Sequence, residues 1–160
     1  MLRERTFFRG AKDDSLIENA PDVYSLNPEK SPMPDTAPLT GLFVSGDLML
    51  GVPVLNALGA VCTEVSRVLS GRGLLDRLVT MPVDLLVLDL EAADLDLTAL
   101  GELTRTTGRP LIVAYAPHVA TERLQAAQNA GFAAVLSRGQ AASQLQVVLE
   151  RVWATRQTLT

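Results

Sequence analysis

Lysine is almost absent. Lys12 and Lys30 are the only two, so from Thr40 onward every fixed cation is an arginine. That excludes Schiff-base chemistry and a P-loop lysine from the later part of the chain. Cys62 and His118 each stand alone. A single thiol cannot close an intramolecular disulfide, which fits an inert core thiol and a reducing, cytoplasmic setting. A single imidazole cannot build a zinc site, and no Ser or Cys motif accompanies it, so His118 reads as a cap for the helix after Pro117. Aromatic residues make up 4%, which leaves Leu, Val and Ala to fill a core. No apolar run reaches the roughly 18–20 residues of a membrane span. The charged start Met1–Arg9 lacks the apolar stretch of a secretory signal. A net charge of -4 argues against nucleic acid as a partner, because phosphate neutralisation needs a basic face.

What is present divides into two parts. Residues 1–39 hold Pro21, Pro28, Pro32, Pro34 and Pro38 among Asp, Glu, Ser and Asn, with neither helix nor strand periodicity. They read as a flexible N-terminal arm. Phe7, Phe8, Val23, Tyr24 and Leu26 leave open a second use, a peptide that orders on a partner. Residues 40–156 read as one domain and 157–160 as a tail. No output domain is expected after the last helix, so a signal would leave by contact.

From Leu42 strand and helix signals alternate. Leu42–Val44 is a short strand. Leu50, Val54, Leu55 and Leu58 give a helix that ends at Gly59 and, given Pro53, begins near Val52. Val61–Val65 is a second strand. Leu74, Leu75, Leu78 and Val79 mark a helix stopped by Pro82. Within Val83–Leu90 four branched apolar residues stand in a row, Leu85–Leu88, and end in the carboxylate Asp89, the signature of a strand buried on both faces. Leu97, Leu100 and Leu103 lie on a helix ended by Gly108, and Pro110–Tyr115 is a strand. A helix from Thr121 closes at Gly131, a strand covers Ala133–Leu136, and the last helix spans about Ala141–Thr155. This alternation predicts a single doubly wound five-stranded parallel sheet in the order 2-1-3-4-5.

In such a sheet the ends of the first, third and fourth strands surround one crevice. Asp47 falls just past the first strand, Asp89 at the end of the third and Tyr115 at the end of the fourth, while Arg138 follows the fifth. Two carboxylates with water and a phosphate oxygen suit Mg²⁺. A cation beside a carboxylate would stabilise a transferred phosphoryl group.

The segment Asp84–Leu90, together with the helix-Gly-strand sequence Leu124–Arg138, resembles the response-regulator receiver domain of two-component signalling. The resemblance makes Asp89 the phosphoacceptor, Asp47 and Asp89 the Mg²⁺ ligands, and Arg138 and Tyr115 the phosphate contacts. It also carries departures. Ser45-Gly46 stand where receivers have an acidic pair, with Asp47 one position later, which leaves at most a weakened Mg²⁺ site. Tyr115 replaces the small hydroxyl residue, Arg138 the lysine, Gly139 the proline and Val135 the aromatic switch residue. Arginine keeps the charge with a different reach. The pattern resembles a degenerate receiver, or pseudo-receiver, as does Tyr115–Val119 with Ser137-Arg138.

Each candidate also has a structural use. Asp89 could hold a loop amide or pair with Arg138, and Asp47 could cap a helix. Glu91, Asp94 and Asp96 fit a solvated face and a helix cap. The favoured function is therefore a non-enzymatic interaction module without a bound cofactor. It would bind a kinase, an effector or itself through the last two helices, at Glu122, Arg123, Gln125, Gln144 and Arg151. A working phosphorelay receiver, with Mg²⁺ and Asp89 phosphorylated, is the alternative. The third reading is a small-ligand binder, for which Ser45–Gly51 supplies no Gly-rich phosphate fingerprint.

Overall fold

The computed structural model describes residues 39–159. The arm expected over residues 1–39 lies outside this range but for Leu39. The described residues alternate β1 (Thr40–Val44), α1 (Gly51–Val61), β2 (Glu64–Val68), α2 (Leu74–Thr80), β3 (Leu85–Asp89), α3 (Leu97–Thr107), β4 (Leu111–Ala116), α4 (Thr121–Asn129), β5 (Ala134–Ser137) and α5 (Arg138–Leu159). All strand pairs are parallel, in the order β2-β1-β3-β4-β5.

Every residue of β3 is buried, as its continuous apolar run requires of a central strand under helices on both faces. Alternation along the strands sorts side chains into two clusters. Phe43, Leu85, Val87, Val113 and Tyr115 pack with α1 and α5. Leu42, Val44, Leu86, Leu88, Ile112 and Ala114 pack with α2, α3 and α4. The parity that buries Leu85 and Val87 on the α1/α5 face carries Asp89 to the same face, level with Tyr115.

Several boundaries move. The first helix starts at Gly51, which puts Pro53 in its first turn, and runs through Gly59 to Val61. It closes where the amide of Cys62 donates to Leu58 O. A side chain at Gly59 would meet nothing within 4 Å, so this glycine neither breaks the helix nor serves a contact. The second strand consequently begins at Glu64, three residues later than its apolar residues suggested. Helix α5 continues to Leu159 and takes in residues 157–159, expected as tail. His118 does not cap α4: its N-cap is Ala120, without a side-chain bond, and the helix starts at Thr121 as expected. Asp96 does cap α3, accepting from the Ala99 amide at 3.0 Å, and Gly108 ends that helix in the left-handed conformation.

At the N-terminal edge of the sheet Asp84 ties three segments together. Its carboxylate accepts from the Thr40 amide at 2.9 Å and pairs with Arg109, although the residue is only 6% exposed. Asp84→Ala should lower unfolding stability by about 1.5–3 kcal/mol, the usual worth of hydrogen bonds to a charged group. Asp84→Asn, which keeps an acceptor for Thr40, should lose less. Urea denaturation of the two variants checks both.

Candidate functional site

At the C-terminal edge of the sheet an open cleft of about 460 Å³ is lined by Asp47, Asp89, Glu91, Arg138 and Pro117, with Gly46, Leu69, Ala92 and Ala93. Besides Pro117, which follows β4, and Arg138, which opens α5, its walls are the loops that follow β1, β2 and β3. The last two of these are tied where the Gly71 amide donates to Ala93 O at 2.8 Å. A Cβ at position 71 would lie 2.2 Å from Asp94 O, so only glycine fits this approach.

Asp89 ends β3 at the floor of the cleft and is 4% exposed. Both carboxylate oxygens are engaged. Oδ1 accepts from the Glu91 amide at 3.0 Å, and Oδ2 accepts from the Ser45 hydroxyl at 2.6 Å. Ser45 is fully buried, and its Oγ accepts in turn from the Asp47 amide at 2.9 Å. A buried carboxylate needs such partners, because an unpaired one costs several kcal/mol.

Asp47 sits in the loop ahead of α1. Its Oδ1 accepts from the Met49 amide at 2.7 Å, a turn contact and not a helix cap, since the N-cap of α1 is Leu50. Its Oδ2 pairs with Arg138. Burial alone would push the Asp47 carboxyl up. The Met49 amide and the adjacent guanidinium outweigh it and hold the group below its ordinary value. The pairing of Arg138 with Asp89 weighed from the sequence is not formed; Arg138, first residue of α5, binds Asp47 instead.

Tyr115 does not line the cleft. It is fully buried, and among the described residues its hydroxyl has no hydrogen-bond partner, since the nearby Ser45 hydroxyl donates its proton to Asp89. Burial pushes this phenol up to about 12; the Ser45 hydroxyl beside it and Arg138 act the other way, and the Asp89 and Asp47 carboxylates add to the rise. Of the proposed partner-facing residues, Glu122, Arg123 and Gln125 are exposed on α4 and Gln144 and Arg151 on α5. Arg123 also donates to Leu90 O at 3.2 Å, next to Asp89.

Two residues of this site were not singled out from the sequence. In the sequence Ser45 stands only as a missing acid, and nothing local marks its burial. Arg67 on β2 donates from Nε to Ser45 O at 3.2 Å and from Nη2 to Asp47 O at 2.9 Å. A lone arginine in a strand pattern carries no signal of this kind. As arranged, the donors do not fit a divalent cation. Asp47 is held by Arg138 and Asp89 by Ser45 and Glu91, and among the described residues no three acidic, His or Cys side chains gather where they could hold a metal.

No family model matches the chain, and no curated protein matches it. Solved structures do. Chemotaxis response regulator CheY4 of Vibrio cholerae is similar at TM-score 0.58 and 18% identity, over 72% of this chain and 99% of that one. The signal receiver domain of an HD domain-containing protein from Pseudomonas fluorescens is similar at 0.65 and 15%, over 77% and 92%. The beryllofluoride-activated receiver domain of DrrB, from Thermotoga maritima, is similar at 0.61 and 15%, over 74% and 99%. The chain has the receiver-domain fold, with the strand order expected from its sequence.

Tyr115→Phe should leave the fold intact and raise stability by up to about 1–3 kcal/mol, because it removes a buried hydroxyl that no partner among the described residues satisfies. The native phenol also sets a pH dependence. A folded value of about 12 lies above the unfolded value of about 10, so its contribution is fully present below pH ~10 and is lost as pH rises toward ~12. Following the ultraviolet phenolate band in a Tyr24→Phe background, which leaves Tyr115 as sole tyrosine, checks the titration. Absorbance rising at an ordinary pH in the folded protein would contradict it.

Proposed function

We propose that this receiver-fold domain is a cytoplasmic signal-transduction interaction module that does not carry phosphotransfer efficiently. The observation that supports it is the engagement of its cleft by its own groups. Asp89 is buried with both oxygens hydrogen-bonded, and Arg138 is paired with Asp47. A phosphoacceptor needs a free carboxylate oxygen as nucleophile and a cation beside the incoming charge. Here each such group already has a partner inside the protein.

The partner would be a kinase, an effector or a second copy, and no nucleic acid or membrane. Among the described residues no helix is long and apolar enough to cross a membrane. The proposed contact surface is the outer face of α4 and α5. On α5, Gln144, Val147 and Arg151 share one side at helical spacing, and Val147 is 56% exposed. An exposed apolar residue between polar ones is the composition of a transient interface. Arg123, through its bond to Leu90 O, joins this face to the end of β3.

Phosphorylation on Asp89 is the competing reading, favoured by its place at the cleft floor. Amide NMR with Mg²⁺ and beryllofluoride, the latter the group with which the DrrB receiver domain is activated, separates the two. The native spectrum is expected to stay unchanged. Shifts centred on Asp89 and abolished by Asp89→Asn would make phosphotransfer the function. In parallel, Arg151→Glu should weaken capture of the partner while leaving the free energy of unfolding within about 0.5 kcal/mol of native, as for other surface changes.

A further inference from the structure

The loop between β1 and α1 is held by two arginines that reach it from different elements. Arg67 stands on the edge strand β2, in register with Phe43. Its guanidinium passes 5.3 Å from the centre of that ring and donates to the carbonyls of Ser45 and Asp47, at 3.2 and 2.9 Å. Arg138, at the start of α5, binds the Asp47 carboxylate. Gly51 makes room for the first of them, since a Cβ there would lie 2.8 Å from Nη1 of Arg67. Two carbonyls and a carboxylate from one short turn are thus engaged by guanidinium N–H groups.

Those oxygens are the ligand type that hard divalent cations prefer. A guanidinium satisfies them by hydrogen bonds instead, keeps its charge at every working pH, and is tethered, so it is present at a fixed ratio whatever the metal concentration. Phe43 adds an aromatic face under the Arg67 charge. The mismatch between this donor set and a Mg²⁺ site is therefore filled by the protein itself.

We infer that Arg67 and Arg138 together are a built-in counter-cation for the Ser45–Asp47 loop, which holds the cleft in shape without a metal. This rests on the reading of the domain as an interaction module and extends it: Arg67 becomes a positioning residue, acting through the loop that carries Ser45 onto Asp89.

The test uses the full chain, Mg²⁺ alone as probe, and amide NMR with hydrogen exchange as readout. Native protein should show no shifts at Asp47 or Asp89 in millimolar Mg²⁺. Arg138→Met, which frees the Asp47 carboxylate, should gain Mg²⁺-dependent shifts there. Arg138→Gln, which drops the charge and keeps hydrogen-bonding capacity, is the second variant should the first not fold. Arg67→Met should speed exchange of the Asp47 and Met49 amides at least about tenfold, the scale of one lost charge-assisted bond, with Leu86 unchanged. Arg67→Lys should restore little of this, because an ammonium cannot span both carbonyls in one plane.

A native Mg²⁺ response at Asp47, an Arg138 variant that stays silent, or unchanged exchange in Arg67→Met would each overturn the inference. The two readings fail separately. A Mg²⁺ response in a protein still blind to beryllofluoride removes the counter-cation and leaves the interaction module, whereas a beryllofluoride response removes both.

Discussion

A carboxylate at the end of a strand buried on both faces has to find its partners inside the protein, and the site is arranged around that need. β3 is covered by α1 and α5 on one side and by α2, α3 and α4 on the other. Asp89 therefore ends in a place that water barely reaches. Two oxygens with charge between them cannot stay unpaired there. The neighbouring strand β1 ends at the same level, so Ser45 is the side chain in reach, and its hydroxyl meets Asp89 at 2.6 Å.

That hydroxyl has one proton to donate, and donating it to Asp89 leaves its lone pairs for the Asp47 amide. The Asp47 side chain is thereby turned to Arg138, while the carbonyls on either side of Gly46 face Arg67. Each contact sets the geometry of the next. Tyr115 is the exception: large enough to fill its place in the core, it brings a hydroxyl that finds no partner among the described residues. In a network this closely coupled, one unmet group is where a substitution can add stability instead of removing it.

Much of the fold was legible in the chain. The run Val83–Leu90 announced the central strand, the alternation of periods announced the parallel sheet, and Gly108 and Asp96 marked the ends of α3. These are local signals, carried by side-chain spacing and by residues suited to one backbone conformation. Gly59 misled because a glycine in a helix is only a weak breaker when tertiary packing of Val54 and Leu58 holds the helix together. The end of α5 was missed because the polar residues past Thr155 carry no periodicity, yet Arg156 ties that turn to Gly108 O at 2.6 Å.

The sequence by itself determined which residues stand at the ends of the strands, and so that Asp47, Asp89, Tyr115 and Arg138 share one edge of the sheet. Which of them touch was decided only in three dimensions. Ser45 and Asp89 are 44 positions apart, and Arg67 reaches its loop from an outer strand across an aromatic ring. Such contacts depend on crossover geometry, side-chain length and burial acting together, and none of these leaves a periodic mark on the chain. The position of a charge is written locally; its partner is chosen by what the fold brings within 3 Å and what water no longer reaches.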